Sequence, residues 1–248
     1  MFNALSGTLI NALLIIVGSL GGLVFKKLMP ERLKETLLQA VGLIVMFVGI
    51  GGAMSATLTL SEGAFGTKDT LVMILAMVFG TIIGELINIE KQLDRIGAFC
   101  QQKFVKGDSK STFAEGMVTA SLIFVVGAMA VVGSLDNGIR GDNSTLVAKG
   151  IIDCITAMVL ASTLGIGVMF SAVPILLYQG AISLLGVYIE PFLTEAIISQ
   201  MSFTGSILIF GIGVNMLWSK KIKVGNMLPA IFMPIVFDLL LKLWNTCI

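Results

Sequence analysis

The chain has 248 residues, of which 56% are hydrophobic and only 12% are charged, and its formal net charge is +1 at neutral pH. Soluble domains contain roughly 45–50% apolar and roughly 25% charged residues, so this composition indicates an integral membrane protein. The net charge is near zero and there is no concentrated basic arm, which excludes the electrostatic footprint of a nucleic-acid-binding protein. We therefore expect membrane lipid as a partner and no nucleic acid.

The N-terminal segment and the cysteines exclude further classes. The first residues lack a positively charged start and a small-residue cleavage site, so we expect a retained first span and not a signal peptide. The chain has three cysteines and no histidine, and Cys100, Cys154 and Cys247 are widely spaced without a Cys-x-x-Cys pair. We interpret them as structural thiols, and we expect no metal site and no cofactor.

Eight apolar segments are long enough to cross a bilayer, since a transmembrane helix needs about 20 mostly apolar residues. The predicted fold is an all-α, polytopic transmembrane helical bundle, with residues 1–248 forming a single integral membrane domain. The predicted spans are 4–25, 36–57, 70–89, 115–135, 145–164, 168–189, 203–218 and 226–245. For the fifth and sixth spans two alternatives stay open, because residues 145–189 either cross twice or form a broken, re-entrant hairpin.

Glycine motifs occupy similar positions in spans one and three. Gly18-x-x-x-Gly22 and Gly80-x-x-x-Gly84 are each followed by a basic loop and another span. Small residues at this spacing let helix backbones approach closely, and such small-residue faces also predict a homo-oligomer. The similarity suggests an internal two-helix repeat. Its two units are 4–57 and 70–135.

Short basic loops determine the predicted orientation. Lysines and arginines cluster at 26–34, 91–110 and 220–223, and these loops contain twelve of the sixteen basic residues. An even number of crossings between the second and third loops places all three on one side, and cytoplasmic loops carry such an excess. We therefore predict that both termini lie outside.

The first candidate for chemistry is a carboxylate within the fifth span. Asp153 lies nine residues after Ser144, about 13 Å along the helix at about 1.5 Å per residue. A charge at that depth costs on the order of 3 kcal/mol, so it needs a partner or a polar cavity. Lys149 offers a structural ion pair, whereas Asp153 and Thr156 together fit the lining of a polar cavity.

A possible break follows between spans five and six. Ser162, Gly165 and Gly167 interrupt the apolar helical pattern, and Ser171 and Gln179 place polar side chains in the returning segment. Non-helical backbone at membrane depth is tolerated only when it is buried in protein or lines a cavity. Interrupted helices bind ions and substrates in many secondary transporters. The alternative is a tight cytoplasmic hairpin turn.

Other polar residues within spans have less specific signals. Glu85 and Glu115 lie toward the cytoplasmic ends of their spans, where they either line an inner vestibule or snorkel to the interface. Asn215 and Asn11 are single amides that either join the cavity or bond across helices. Asp238 has a lysine four residues further on, so we assign it to structure.

The predicted outer loop, residues 133–145, is the most polar turn in the chain. Asp136 and Asp142 supply oxygen atoms that a hard cation would accept, but their spacing does not match a calcium-binding loop. The Asn-Gly and Arg-Gly-Asp sequences in the same segment are typical of exposed turns. We therefore prefer a turn and a helix cap over an outer-loop cation site.

Glycine and polar positions together resemble those of a known family. The region 115–180, which contains GSLDNGIRGDNSTLVAKGIIDCITAMVLASTLGIG, is similar to the signature of domain-of-unknown-function family 554, the YdfK/YqgA-type bacterial membrane proteins. The segment GTIIGELINIEKQLDRIG at 80–97 resembles the same family, and the similarity extends over essentially the whole chain. The resemblance implies a multi-pass protein of the bacterial cytoplasmic (inner) membrane, transporter-like, with no assigned substrate or cofactor.

The residues and the resemblance lead to two hypotheses about function. The first is a secondary transporter or permease-like protein for a small solute or ion, with Asp153 as the coupling carboxylate. The second is a non-transporting membrane scaffold or regulatory protein, whose polar residues only stabilise packing. We do not expect an enzyme, because there is no histidine, no Gly-x-Ser-x-Gly motif and no convincing aspartyl pair within the spans.

Overall fold

The computed structural model describes residues 2–28, 30–61, 64–92, 95, 110–218 and 222–247. The helices are α1 (Phe2–Leu28), α2 (Glu31–Thr57), α3 (Thr70–Ile87), α4 (Lys110–Val125), α5 (Ala128–Arg140), α6 (Ser144–Leu164), α7 (Gly167–Phe170), α8 (Ala172–Ile189), α9 (Glu195–Leu217), α10 (Val224–Met227) and α11 (Met233–Cys247). Short 3-10 turns follow α8 at Glu190–Phe192 and α10 at Leu228–Phe232, and a β-hairpin of β1 (Leu58–Ser61) and β2 (Ala64–Thr67) follows α2.

The described chain confirms the predicted multi-span helical fold. Seven helical segments are long and apolar enough to cross a membrane, and the bent pair α4–α5 raises the number to as many as eight. The seven are Ala4–Lys26, Glu35–Thr57, Thr70–Ile87, Ser144–Leu164, Gly167–Phe192, Glu195–Leu217 and Val224–Trp244. The antiparallel hairpin, in which Leu58 pairs with Thr67, was not predicted from the sequence.

The predicted fourth span, 115–135, is wrong as a single straight helix. Helices α4 and α5 meet at an angle of 65°, and Gly127 between them has a φ of +128°. Helix α5 then continues to Arg140, so most of the predicted outer loop 133–145 is helical. Gly141, with a φ of +72°, ends α5 and leaves a connection of only three residues before α6.

Residues 145–189 form two helical segments joined by a tight turn. Helix α6 ends where the Gly165 N–H donates to the Ala161 carbonyl at 3.0 Å, and Gly165 has a left-handed φ of +84°. Because each segment is long enough to cross a membrane, the structure favours two crossings over a re-entrant hairpin.

The seventh span begins eight residues before the predicted start at 203. Thr194 caps the helix, since its side chain accepts a hydrogen bond from the Ile197 N–H. Polar residues in the first turns had lowered the apparent hydropathy, but they face other helices: Gln200 is buried and Ser199 donates to the Ala56 carbonyl at 2.8 Å. The direction in which a polar side chain points depends on packing, which hydropathy alone does not contain.

An ion pair indicates whether the bent pair α4–α5 counts as one of the spans. Lys223 Nζ lies 2.6 Å from Glu85 Oε1, so the end of α3 and the start of the last span lie on the same face of the bundle. Three full-length segments lie between them, namely α6, α7–α8 and α9. An even number of crossings therefore requires that α4–α5 also crosses once, which gives eight.

The glycine motifs of α1 and α3 bring helix backbones into contact within one chain. A Cβ atom on Gly18 would overlap the Cys154 carbonyl, and one on Gly22 would overlap the Met158 carbonyl. Helix α1 thus runs parallel to α6 at very short range. The Gly80 and Gly84 motif of α3 contacts the backbone of the last span in the same way. This shared packing role explains the similarity of the motifs, and the internal repeat stays a prediction.

The break at Gly127 leads to a test of backbone strain. Its φ of +128° and ψ of +148° belong to a region that is essentially restricted to glycine, so Gly127→Ala should destabilise the protein by about 1–3 kcal/mol. Gly51→Ala is the matched control, because Gly51 is exposed within α2 and a Cβ there meets nothing within 4 Å. The control should be neutral or stabilising by up to about 1 kcal/mol. Thermal melting in detergent measures both, and equal melting temperatures for the two variants would contradict the strained break.

Candidate functional site

A lysine and an aspartate form a buried ion pair within α6. Lys149 Nζ contacts Asp153 Oδ2 across one helical turn, and each side chain is only 8% exposed. The structural pair considered from the sequence is therefore present. Taking two charges out of water is unfavourable unless further hydrogen bonds satisfy the remaining donors and acceptors, so the surroundings of the pair decide what it can do.

Three other helices surround the pair. Asn11 of α1 donates from Nδ2 to Gln179 Oε1 of α8 at 3.2 Å, and both side chains are fully buried. The Asn11 amide also faces the Asp153 carboxylate. Lys149 Nζ lies 5.9 Å from the centroid of the Phe124 ring on α4, close enough for a cation–π attraction. We call Asn11, Lys149, Asp153 and Gln179 the polar cluster.

Glycines bring α1 close enough for Asn11 to reach the pair. A Cβ atom on Gly150, next to Lys149, would lie 3.1 Å from the Cα atom of Asn11. On the other side of the cluster, Gly18 contacts the backbone of α6 at Cys154. The two glycines thus position α1 on both sides of Asp153, and a larger side chain at either would separate the helices.

The polar cluster has hydrogen-bonding capacity that the described residues do not use. Asn11 Oδ1 and Gln179 Nε2 are buried and have no hydrogen-bond partner in the described part of the chain. The same holds for the hydroxyls of Thr8 and Ser19, which lie on the same face of α1 as Asn11. An unsatisfied buried polar group costs about 1–3 kcal/mol. Packing alone does not explain why four such groups lie along one helix interface.

Three predicted site residues bond only to their own helices. Thr156 donates to the Ile152 carbonyl at 2.9 Å, Ser162 to the Val159 carbonyl at 2.7 Å, and Ser171 to the Val168 carbonyl at 2.7 Å. This local bonding is common for hydroxyl side chains inside helices. The structure does not bring these three side chains to the polar cluster.

The two glycines of the predicted break form a turn and a close contact. Gly165 lies twelve residues after Asp153, about 18 Å along α6, and Lys26 Nζ donates to the neighbouring Thr163 carbonyl at 3.2 Å. A Cβ on Gly167 would overlap the carbonyl of Phe113 on α4. The break therefore supplies packing at one end of the bundle, and neither glycine joins Asp153.

Two more predicted residues lie away from the cluster. Glu115 is half-buried on α4, and its neighbour Gly116 packs against Leu164, eleven residues from Asp153 on α6. Asn215 exchanges two hydrogen bonds with the backbone of Ile222, at 2.8 and 2.6 Å. Its amide closes the connection between α9 and α10 and does not bond across to the cluster.

Glu85 connects the end of α3 to the start of the last span. Its two carboxylate oxygens accept hydrogen bonds from Lys223 Nζ at 2.6 Å and from Asn226 Nδ2 at 2.5 Å. The bond to the Glu85 carboxylate raises the pKa of the Lys223 ammonium above its usual range. Asp238 likewise has the predicted partner, since Lys242 Nζ lies 2.7 Å from Asp238 Oδ2.

The two acidic residues of the predicted outer loop have structural partners. Asp136 pairs with Arg140 at 2.5 Å, and Asp142 accepts a hydrogen bond from the Ser144 N–H at 2.9 Å. That backbone bond lowers the pKa of the Asp142 carboxyl. The Asp142 bond forms a turn just before α6, whereas Asp136 lies inside α5, so the predicted turn is present at Asp142 and not at Asp136. In the described ranges no group of three or more His, Cys, Asp or Glu side chains is placed to hold a metal ion.

One buried amide was missed among the site candidates. Asn137 is fully buried on α5, and its Oδ1 accepts from the Gly7 N–H of α1 at 3.0 Å. The sequence had placed it in an exposed turn. The sequence contained one signal for this contact. Thr8, Asn11 and Ser19 recur at helical spacing on one face of α1, which indicates that polar groups of another helix pack against this face.

A separate cavity lies outside the polar cluster. It has a volume of about 310 Å³ between α5, α8, α9 and α11, and its walls are apolar side chains and the ring of Tyr178. A smaller pocket that shares Val131, Tyr178 and Met201 extends toward the break at Gly127. Neither pocket is lined by a residue of the polar cluster.

The buried pair leads to a double-mutant test. Lys149→Met or Asp153→Asn alone leaves one uncompensated buried group and should destabilise by about 3–5 kcal/mol, whereas Lys149→Met combined with Asp153→Asn should recover much of the loss. Asp238→Asn is the control, because the Asp238–Lys242 pair has the same spacing but side chains 31% and 52% exposed, and it should cost no more than about 1 kcal/mol. Thermal melting in detergent measures all four variants. Additive losses in the double variant would contradict the paired arrangement.

The chain is similar to proteins of one uncharacterised family. The family model described as a protein of unknown function, DUF554, matches residues 6–239. The chain is 32% identical over 228 residues to the uncharacterized membrane protein YdfK of Bacillus subtilis (strain 168), covering 92% of this chain and 93% of that protein. It is 27% identical over 230 residues to the uncharacterized protein YqgA of Escherichia coli (strain K12), covering 92% and 93%. No solved structure matches the chain. The family match covers nearly all the membrane-spanning helices, and the chain therefore belongs to the DUF554 family.

Proposed function

We propose that this protein is a secondary transporter or permease for a small solute or ion, with the Lys149–Asp153 pair as its coupling site. The observation that carries the proposal is a buried ion pair surrounded by amides with unused hydrogen-bonding capacity. Ionisable residues inside a membrane are expensive, and they commonly mark ion or substrate pathways. Around a purely structural ion pair, we would expect the neighbouring side chains to use all of their buried hydrogen-bond donors and acceptors.

The polar cluster lies where a change of charge can reach several helices. A proton or cation that binds Asp153 competes with Lys149 for the carboxylate, which alters the interface of α1, α6 and α8. Lys149 also contacts the Phe124 ring, which lies three residues before Gly127. The bent pair α4–α5 is therefore in direct contact with the coupling site. A bend of this kind can change its angle with few broken contacts.

The proposed location is the inner membrane of a bacterium, with both termini outside. The face of the bundle that carries Lys26 and Lys223, which we call the basic face, would lie in the cytoplasm. Lys26 lies beside the α6–α7 turn, and Lys223 lies at the end of α3. Contacts between α2 and the end of α9 join these two regions on one face, since Gly42 packs against Leu217. The positive-inside rule assigns that face to the cytoplasm.

The proposed partners are membrane lipid and a small-molecule or ion substrate, with no nucleic acid, no cofactor and no enzymatic reaction. Homo-oligomer formation stays a prediction, and the structure weakens its original basis. The glycine pairs of α1 and α3 contact other helices of the same chain, so they are not free to bind a second copy.

The alternative is a membrane scaffold or regulatory protein. One observation favours it, namely that Asp153 already has a partner in Lys149. In a scaffold, the variant with both residues neutralised would fold with the partial loss of stability described above, and no other property would change. In a transporter, that variant would fold and lose coupling, because no charge remains to exchange.

Flux in proteoliposomes tests the proposal. Vesicles loaded with a pH-sensitive dye and given a pH gradient would receive amino acids, carboxylic acids and alkali-metal cations one at a time. At least one class should produce flux, which Asp153→Asn and the double variant Lys149→Met with Asp153→Asn should reduce at least tenfold, while Asp238→Asn retains it. Wild-type rates in both Asp153 variants would remove this residue from the mechanism. Folded wild-type protein inactive toward every probe would support the scaffold.

A further inference from the structure

One end of the polar cluster leads toward the membrane face that carries the N-terminus. Asn143 Nδ2 donates to Ser6 Oγ at 3.0 Å, and Asn137 Nδ2 lies 3.4 Å from the same oxygen. Asn143 is half-buried in the connection between α5 and α6. Polar side chains of α1, α5 and this connection therefore meet at the entrance to the α1–α6 interface.

Polar groups continue from this entrance to the ion pair. The Thr8 hydroxyl is 1% exposed and the Asn11 side chain is fully buried. Each has a polar atom without a hydrogen-bond partner among the described residues. The step from residue 6 to residue 11 covers about 7.5 Å along a helix, and Asn11 faces Asp153. We call Asn143, Ser6, Thr8 and Asn11 the polar path.

The interface on the other side of Asp153 is mainly apolar. Gly18 and Gly22 place the backbone of α1 directly against the carbonyls of α6, and the buried side chains between the helices are mainly apolar, including Ile15, Ala157 and Ala161. The Ser19 hydroxyl is a buried polar group in this half, and at its end Lys26 donates to the Thr163 carbonyl. Close glycine contacts occur on both sides of Asp153, at Gly7 and Gly150 as well as at Gly18 and Gly22, so the half toward the basic face differs in having fewer polar groups for water to bond.

We propose that water enters along the polar path and delivers protons to Asp153 from the face that carries the N-terminus, while mainly apolar side chains line the opposite side. The unused atoms of the polar cluster include an acceptor, Asn11 Oδ1, and a donor, Gln179 Nε2. Turning both amides by 180° exchanges the atoms but still leaves one donor and one acceptor. Water matches such a set because it both donates and accepts.

A bare metal cation matches the site less well than a proton. Hard cations such as Ca²⁺ take six or more oxygen ligands, whereas the polar cluster contains one carboxylate, already paired with Lys149, and an unused amide donor that would face the ion. A proton needs only the carboxylate and a chain of hydrogen-bonded water. The ion exchanged at Asp153 is accordingly a proton.

The transfer changes the charge of the cluster by one unit. A hydronium ion gives its proton to the Asp153 carboxylate and becomes water, and Lys149 keeps its ammonium proton. The pair changes from neutral to a net charge of +1, which is unfavourable inside a membrane. The ammonium must then turn toward the polar path or the helices must separate. The role of this step in coupling rests on the proposed transport function, but the polar path does not.

Cysteine accessibility tests the path without any knowledge of the substrate. In a background with Cys100, Cys154 and Cys247 replaced by alanine, Thr8→Cys and Asn11→Cys would be treated with a membrane-impermeant methanethiosulfonate cation, in vesicles of each orientation. Ile15→Cys is the matched control, because Ile15 is fully buried on the same helix. Thr8→Cys and Asn11→Cys should react at least tenfold faster than Ile15→Cys from the face with the N-terminus, and at the control rate from the basic face.

Two results would overturn the proposal. One is reaction of Thr8→Cys at the rate of Ile15→Cys from both faces, in protein with an unchanged melting temperature. The other is reaction at equal rates from the two faces. Thr8→Cys is the decisive variant, since Thr8 makes no bond to the polar cluster that its replacement would break. Labelling without flux of any probe would support the path and contradict the transport function, whereas flux without labelling would contradict only the path.

The identity of the ion is tested separately in proteoliposomes. Flux should follow an imposed pH gradient and be unchanged, within twofold, by replacing internal and external Na⁺ with choline. Flux that requires Na⁺ and ignores the pH gradient would overturn the assignment of the proton, even if the polar path is labelled.

Discussion

The close contact between α1 and α6 is the constraint on which the rest of the structure depends. Lipid provides no hydrophobic force that pushes helices together, so association relies on backbone approach and on polar bonds. Gly18, Gly22 and Gly150 permit that approach. Only because these backbones touch does the amide of Asn11 reach Asp153 and Gln179. The packing of α1 against α6 thus buries the ion pair, and the positions of Lys149 and Asp153 within α6 would not by themselves do so.

The contact also divides the interface into two unequal halves. Glycines pack the α1–α6 interface in both halves, but toward the N-terminal face it contains Ser6, Thr8 and Asn11, whereas toward the basic face its buried side chains are mainly apolar. The bend at Gly127 lies next to Phe124 and therefore next to Lys149, which connects the pair to the bent helices α4 and α5.

The fold class could be predicted because hydropathy and charge are properties of short stretches of sequence and do not depend on contacts between distant segments. The apolar segments and the Lys149–Asp153 and Asp238–Lys242 pairs all follow from local spacing. The differences from the structure have two causes. The break at Gly127 was not predicted and Gly165 was considered as part of a binding site, because the sequence does not distinguish a glycine that breaks a helix within a span from one that ends a helix at the membrane surface. The polar start of α9 and the buried amide of Asn137 were misplaced because a polar residue at a helix interface resembles one in a loop.

The sequence by itself determined that this protein has many membrane-spanning segments and which charged residues have a partner one helical turn away. These properties depend on composition and on neighbours within a few residues. Only the tertiary structure decided that Asn11 and Gln179, 168 residues apart, meet beside Asp153, and that Asn215, Ser162 and Ser171 do not. Contacts between distant helices depend on the crossing point and rotation of each helix, and these are set by the sum of many packing interactions that no single segment contains.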